Sequence, residues 1–172
     1  MKILLIGPQG SGKSTQGKLL AHFLELPYIS TGDIFRQTAS ADEIIRSILD
    51  KGELVENETT SQVVEKRLKQ EDCQNGFVLD GYPRNIEQIE LFDPKFDKVF
   101  YLNASEEQVI ERLLKRGRKD DTREGIKTRL DLYYQQTRPL LDYYQKLNKL
   151  IEVDGSGSVE EIGQRVREAL NG

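Results

Sequence analysis

Gly7-Pro8-Gln9-Gly10-Ser11-Gly12-Lys13-Ser14-Thr15 is the stretch that decides the fold of this chain. It follows the apolar run Ile3-Leu4-Leu5-Ile6 and precedes a segment with helical periodicity. The spacing G-x-x-x-x-G-K-[ST] between strand and helix is that of a phosphate-binding P-loop. Glycines let backbone N–H groups turn inward around a phosphate chain, where side chains would block them. The helix behind the loop points its positive end at the same phosphates. Lys13 then reaches the outer phosphates, and a hydroxyl from Ser14 or Thr15 faces the magnesium ion that accompanies them. The chain is therefore expected to bind a nucleoside triphosphate through Gly10, Ser11, Gly12, Lys13, Ser14 and Thr15.

With 172 residues the chain makes one domain with room for a substantial core. No apolar run approaches the length of a bilayer span, so no membrane partner is expected. Met1 leads straight into the first strand without a basic–apolar leader, and no signal peptide is expected. The single cysteine, Cys73, allows neither an intramolecular disulfide nor a cysteine-based structural zinc, which suits a reducing, cytoplasmic setting. Cys73 lies in the polar stretch Lys69–Asn75 and reads as a bystander rather than a nucleophile. The one histidine, His22, reads as structural or exposed. A net charge of −4 argues against nucleic acid as a partner.

Apolar runs suited to parallel strands recur at Lys2–Ile6, Phe77–Asp80, Lys98–Leu102 and Leu150–Val153, with a shorter one at Pro27–Ile29. Helical patterns separate them. Ser14–Glu25 carries Leu19, Leu20, Phe23 and Leu24 on one side. Thr59–Gln70 carries Val63, Val64 and Leu68, Ser105–Arg116 carries Val109, Ile110, Leu113 and Leu114, and Val159–Leu170 carries Ile162 and Val166 between its ends. Three capping boxes are expected, at Thr59…Gln62, Ser105…Gln108 and Ser158…Glu161. Strands alternating with helices predict an α/β, three-layer P-loop fold with a five-stranded parallel sheet flanked by helices. Residues 31–70 read as helical, an insertion between core strands able to form a mobile subdomain.

Asp80 ends a buried strand, the position from which a P-loop protein holds magnesium directly or through water. Residues 112–129 carry eight basic and three acidic side chains, and the arginine fork suits phosphate oxygens. Arg112 and Arg116 are four apart and share a helix face. No candidate general base accompanies these motifs. A hydroxyl acceptor often needs help losing its proton, whereas a phosphate acceptor is already an anion. The demand is then for cations, which Lys13, Arg36, Arg84, Arg116, Arg118, Arg129 and Mg²⁺ supply.

Thr31-Gly32-Asp33-Ile34-Phe35-Arg36, Gly52-Glu53-Leu54-Val55 and Asp80-Gly81-Tyr82-Pro83-Arg84-Asn85-Ile86-Glu87-Gln88 resemble the three monophosphate-site motifs of adenylate kinases. Arg118-Lys119-Asp120-Asp121, Arg129-Leu130 and Thr137-Arg138-Pro139-Leu140 resemble the C-terminal half of that family, so the likeness spans nearly the whole chain. The resemblance implies an ATP:AMP phosphotransferase, a kinase that reversibly converts ATP and AMP into two ADP. It implies that Lys13 holds the ATP phosphates, Arg112 lies flat against the ATP adenine, and the backbone of Gly155, Ser156 and Gly157 closes that pocket. It implies that Arg36 and Arg84 bind the AMP phosphate, while Thr31, Val55 and Gln88 surround its adenine, with Gly81 nearby in backbone contact and Gly32, Arg118 and Arg129 also at the AMP site. Arg116, Arg118 and Arg129 would line the transferred phosphoryl group. Residues 30–59 would be an AMP-binding flap and residues 117–121 a rudimentary lid.

The chain departs from the family pattern at several points. Proline stands at Pro8 rather than one residue later, Ser14 replaces a glycine, and Glu56 replaces the proline that commonly follows Leu-Val. Only Gly117 separates Arg116 from Arg118, so the lid is very short. Either the arginine-bearing helices close the site themselves or another chain covers it; a monomer is the expectation. Related UMP/CMP kinases typically have alanine at the position of Thr31 and asparagine at that of Gln88, so both residues point to AMP, whereas Asn85 leans toward the UMP/CMP group. Two rival readings are phosphoryl transfer to UMP or CMP, and a nucleotide-binding module without catalysis.

Overall fold

The computed structural model describes residues 1–39, 42–51, 53–118 and 121–171, with the side chain of Asn171 left aside. Five parallel strands, β1 (Lys2–Ile6), β2 (Tyr28–Ser30), β3 (Phe77–Asp80), β4 (Lys98–Asn103) and β5 (Leu150–Asp154), form one sheet in the order β2-β3-β1-β4-β5. Central β1 pairs with β3, with Leu5 opposite Asp80, and with β4, with Ile6 opposite Tyr101. The chain crosses from one side of β1 to the other, so the carboxyl end of β1 opens at a topological switch point, where open α/β sheets bind ligands.

The period-two register of the strands divides the core into two layers. Ile3 and Leu5 face α1 (Lys13–Phe23) and α9 (Val159–Asn171), packing with Leu20, Ile162 and Val166. Leu4 and Ile6 face the opposite layer, with Val64 of α4 (Asn57–Leu68), Ile89 of α5 (Ile86–Leu91) and Leu140 and Tyr144 of α8 (Pro139–Lys146). A smaller cluster, Val109, Leu113, Ile126 and Leu130, joins α6 (Glu106–Arg116) to α7 (Arg123–Leu132). A π-helical turn, Tyr133–Thr137, links α7 to α8. Between β2 and β3 the described residues form α2 (Thr31–Thr38), α3 (Glu43–Asp50) and α4, the helical insertion expected from residues 31–70. Among the described residues no helix is long and apolar enough to cross a membrane.

The inward face of α1 differs from the expected one. Leu19 and Phe23 are 43% and 55% exposed, and Gln16, Gly17, Leu20 and Ala21 are buried instead. Gly17 explains the rotation: a Cβ there would come within 2.6 Å of both Leu5 Cδ1 and Tyr28 Cε2, so the helix approaches the sheet most closely at this residue. Leu114 of α6 is likewise exposed, while Val109 and Leu113 are buried.

Two capping boxes form as expected. Ser105 accepts from the Gln108 N–H while Gln108 Oε1 accepts from the Ser105 N–H, and Ser158 and Glu161 exchange the same bonds. The third does not form. Thr59 lies inside α4, which starts at Asn57 after Glu56, and its hydroxyl donates to Glu56 Oε2 at 3.4 Å. Cys73 is more enclosed than its polar neighbours imply: it is 3% exposed in the α4 layer, and burial pushes its thiol up, away from nucleophilic character. His22 is exposed.

Candidate active site

The P-loop follows β1 and ends at Gly12, which takes the N-cap of α1 with φ 98°, a left-handed conformation that favours glycine. Gly7 is required for a different reason, since a Cβ there would meet the Leu102 carbonyl at 2.6 Å. No side chain caps α1 and no acidic residue occupies its first turn, so its first N–H groups face the cleft as an anion site. Lys13 folds back on the loop, donating to the carbonyls of Gly7 at 2.7 Å and Pro8 at 2.8 Å. Burial, with help from Arg84 and Arg116 and against Asp80, lowers its ammonium to about 8.

Asp80 is 6% exposed at the end of β3. Its Oδ2 accepts two hydroxyls, Ser14 Oγ at 2.7 Å and Tyr28 Oη at 2.9 Å. Ser14 therefore occupies this corner. Thr15 borders the same cleft.

Arginines converge from three helices and two loops. Arg36 of α2 is paired with Asp33. Arg84, after β3, donates from Nε to the Gly81 carbonyl at 3.0 Å, and among the described residues no carboxylate lies within ion-pair distance of it. Burial lowers the Arg84 guanidinium's affinity for its proton, and neighbouring Arg36 and Arg129 add to this while Asp80 opposes it. Arg112 of α6 donates to the Gly155 carbonyl at 2.9 Å, bridging the P-loop side to the loop after β5.

Asp121 organises the remaining cations, a role that its place in a mixed-charge run did not reveal. Its carboxylate is wholly enclosed, receiving Arg116 Nε at 2.8 Å, Arg116 Nη2 at 2.7 Å, Arg129 Nη2 at 3.0 Å and the Arg118 N–H at 3.0 Å. Burial works to raise its pKa, but these donors hold it at about 2. The signal that could have found it is an acid flanked in sequence by arginines at helical and turn distance. Lys119 and Asp120, the middle of the expected lid, lie outside the described residues, as do Ser40, Ala41 and Gly52 of the expected flap.

These groups line one cleft of about 590 Å³. Gly10, Gly12, Lys13, Ser14, Thr15, Gly32, Arg36, Asp80, Gly81, Arg84, Arg112, Arg116, Arg118, Arg129 and Gly157 all border it, together with Tyr133 and Thr137 of the π-helical turn, neither of which carried an expected site role. Ser11, Thr31, Val55, Gln88, Gly155 and Ser156 do not. Ser11 and Thr31 are buried, each with an unpartnered hydroxyl. Val55 borders a smaller neighbouring cleft with Asn57 and Glu87. Gln88 is 1% exposed, its Oε1 accepting from the Arg84 N–H and its Nε2 donating to Asn57 Oδ1. Asn85 has a structural task, accepting the Gln88 N–H as the N-cap of α5 and donating to Asn57. Asn85 thus has a local structural role, helix capping, apart from any acceptor preference.

The adenylate kinase family model matches residues 5–149, from within β1 to the residue before β5. The chain belongs to the adenylate kinase family. It is 43% identical to an adenylate kinase of Corynebacterium urealyticum, with 99% of each chain covered. It is 41% identical to one of Nocardia farcinica at the same coverage. A third adenylate kinase, from Thermoanaerobacter sp., is 36% identical, with 99% of this chain and 98% of that one covered. The alignment with the Thermoanaerobacter protein runs over 212 positions, more than the 172 residues of this chain, so that relative carries residues this family member lacks.

Proposed function

We propose that this protein transfers the γ-phosphoryl group of Mg·ATP to AMP, giving two ADP, reversibly. The observation that supports this most is the convergence of Lys13, Arg36, Arg84, Arg112, Arg116, Arg118 and Arg129 on one cleft beside a P-loop. Two polyanions brought together need that much positive charge. In this reading an oxygen of the AMP phosphate attacks the γ-phosphorus of ATP, and the bond to the β–γ bridging oxygen breaks, leaving ADP. The acceptor is already anionic, so no base is required. Lys13 leaves the loop carbonyls for the ATP phosphates, which the N–H groups of Gly10, Ser11, Gly12, Ser14 and Thr15 surround. Arg112 stacks on the ATP adenine, beside the backbone of Gly155, Ser156 and Gly157. Arg36 and Arg84 hold the AMP phosphate, and Arg116, Arg118 and Arg129 meet the group in transit.

Thr31, Gly32, Val55, Gly81 and Gln88 frame the AMP base. The unpartnered Thr31 hydroxyl offers a hydrogen-bonding group to a base edge, and Gln88, whose amide already holds the Arg84 N–H and Asn57, keeps one further amide N–H for it. Residues 30–59 act as the flap and residues 117–121 as the lid. The oxygen donors of Asp80 and Ser14, grouped at 2.7 Å, suit a hard cation that keeps most of its water and phosphate ligands. When bound there, magnesium neutralises charge on the β- and γ-phosphates. The protein acts as a monomer in the cytoplasm, where a single buried thiol stays reduced.

The test is ADP formation from Mg·ATP with AMP, UMP, CMP or no acceptor, at several protein concentrations. Fast turnover with AMP and a low rate without acceptor are expected. Preference for UMP or CMP would overturn the base assignment. No turnover with any acceptor would leave a nucleotide-binding module. Specific activity that rises with protein concentration would show that a partner chain completes the site.

Lys13 gives this reading a pH dependence. Phosphate favours its charged form, while the unliganded site loses that proton at about 8. Nucleotide binding therefore takes up a proton above pH 8, and affinity falls as pH rises, approaching about tenfold per unit. Dissociation constants for a non-hydrolysable ATP analogue between pH 7 and 9.5 measure it; a flat profile would contradict the assignment.

A further inference from the structure

We propose that Tyr28 is a positioning residue for Asp80, fixing the carboxylate so that its second oxygen faces the metal–phosphate corner of the cleft. The inference rests on the phosphotransfer reading and adds a residue to it. Oδ2 of Asp80 accepts from both Ser14 Oγ, 2.7 Å away on α1, and Tyr28 Oη, 2.9 Å away on β2. Two donors on one oxygen, reaching it from different elements, hold the carboxylate against rotation about its Cβ–Cγ bond. They occupy Oδ2 and leave Oδ1 for the cation or its water. Outer partners of this kind orient a ligand and set its affinity.

The surroundings of Tyr28 are built to present that hydroxyl. Its ring passes α1 at Gly17, where a Cβ would lie 2.6 Å from Tyr28 Cε2. Lys18 Nζ lies over the same ring, 5.8 Å from its centroid. The backbone of Tyr28 is tied to β3 opposite Val78, two residues before Asp80. Ser14 and Tyr28 supply this hydroxyl pair to the carboxylate from α1 and β2.

The test is Tyr28→Phe, which keeps the ring and removes the hydroxyl. Mn²⁺ serves as a spin-active probe, titrated by electron paramagnetic resonance into the protein complexed with a non-hydrolysable ATP analogue. The expected result is roughly tenfold weaker Mn²⁺ binding. The Mg²⁺ concentration for half-maximal rate should rise in step. Affinity for the metal-free analogue should stay at the wild-type value. Unchanged Mn²⁺ affinity would overturn the proposal. So would a parallel fall in melting temperature and metal-free nucleotide affinity, which is the mark of a merely structural hydroxyl. The Mn²⁺ titration needs no turnover, so it reads out even if the phosphotransfer assay fails, and the two failures are distinguishable.

Discussion

Arg84→Ala is expected to lower kcat on the order of 10³-fold while leaving the protein folded. Arg84 projects into the cleft from the loop after β3 with no carboxylate partner among the described residues. Burial opposes its charge, and Arg36 and Arg129 repel it, against the attraction of Asp80. A cation held this way contributes little to folding and is available to an incoming phosphate. Its removal relieves repulsion and leaves one carbonyl, that of Gly81, short of a donor. The melting temperature should therefore stay near the wild-type value or rise, as happens where a site trades stability for activity. Steady-state kinetics with AMP and a thermal melt on the same preparation check both halves. Turnover within a few-fold of wild type would remove Arg84 from the phosphate-binding role, and a collapsed melt would show a structural one.

Asp121→Asn is expected to have the opposite signature, with stability and activity falling together. The Asp121 carboxylate is wholly enclosed and holds both Arg116 and Arg129, the latter with 9% of its side chain exposed. An amide turns at least one hydrogen-bond donor toward guanidinium groups that need acceptors. The loss should be about 2–3 kcal/mol, the linkage value of holding a carboxyl near 2 instead of its ordinary 3.9. With Arg116 and Arg129 released from their anchor, kcat should fall on the order of 10²-fold. A pH series supplies a second check. The folded-state pKa is depressed, so the stabilisation is complete above about pH 4 and is lost as pH falls toward 2. Wild-type protein should lose stability across that window, and the variant should lack this contribution. An unchanged acid limb would show that Asp121 is not the group responsible.

Much of the architecture was legible because it is local. β1 and β3 begin and end where the apolar runs do, and β2, β4 and β5 differ from their runs only by a residue or so at the ends. The capping boxes at Ser105 and Ser158 need only a residue and its neighbour three places on. The misreadings involve contacts that a helical wheel does not contain. The apolar stripe of α1 pointed to Leu19 and Phe23, but close approach at Gly17 turned Gln16, Gly17, Leu20 and Ala21 inward. Thr59 looked like a cap because the pattern fits. Asn57, however, is drawn into a network with Asn85, Glu87 and Gln88, and α4 starts two residues earlier than Thr59.

The sequence by itself determined the P-loop, the alternation of strands and helices, and the inventory of cations. Each rests on spacing along the chain and on the fixed periods of helix and strand. Only the tertiary structure decided which of those cations share a carboxylate, which hydroxyl reaches Asp80, and which face of each helix is hidden. Ser14 and Asp80 are 66 residues apart and Tyr28 and Asp80 are 52 apart, yet all three meet at one oxygen because β2 and β3 are adjacent strands and α1 starts at the end of β1. Such meetings depend on strand order and on how closely a helix approaches the sheet, which sequence spacing does not encode.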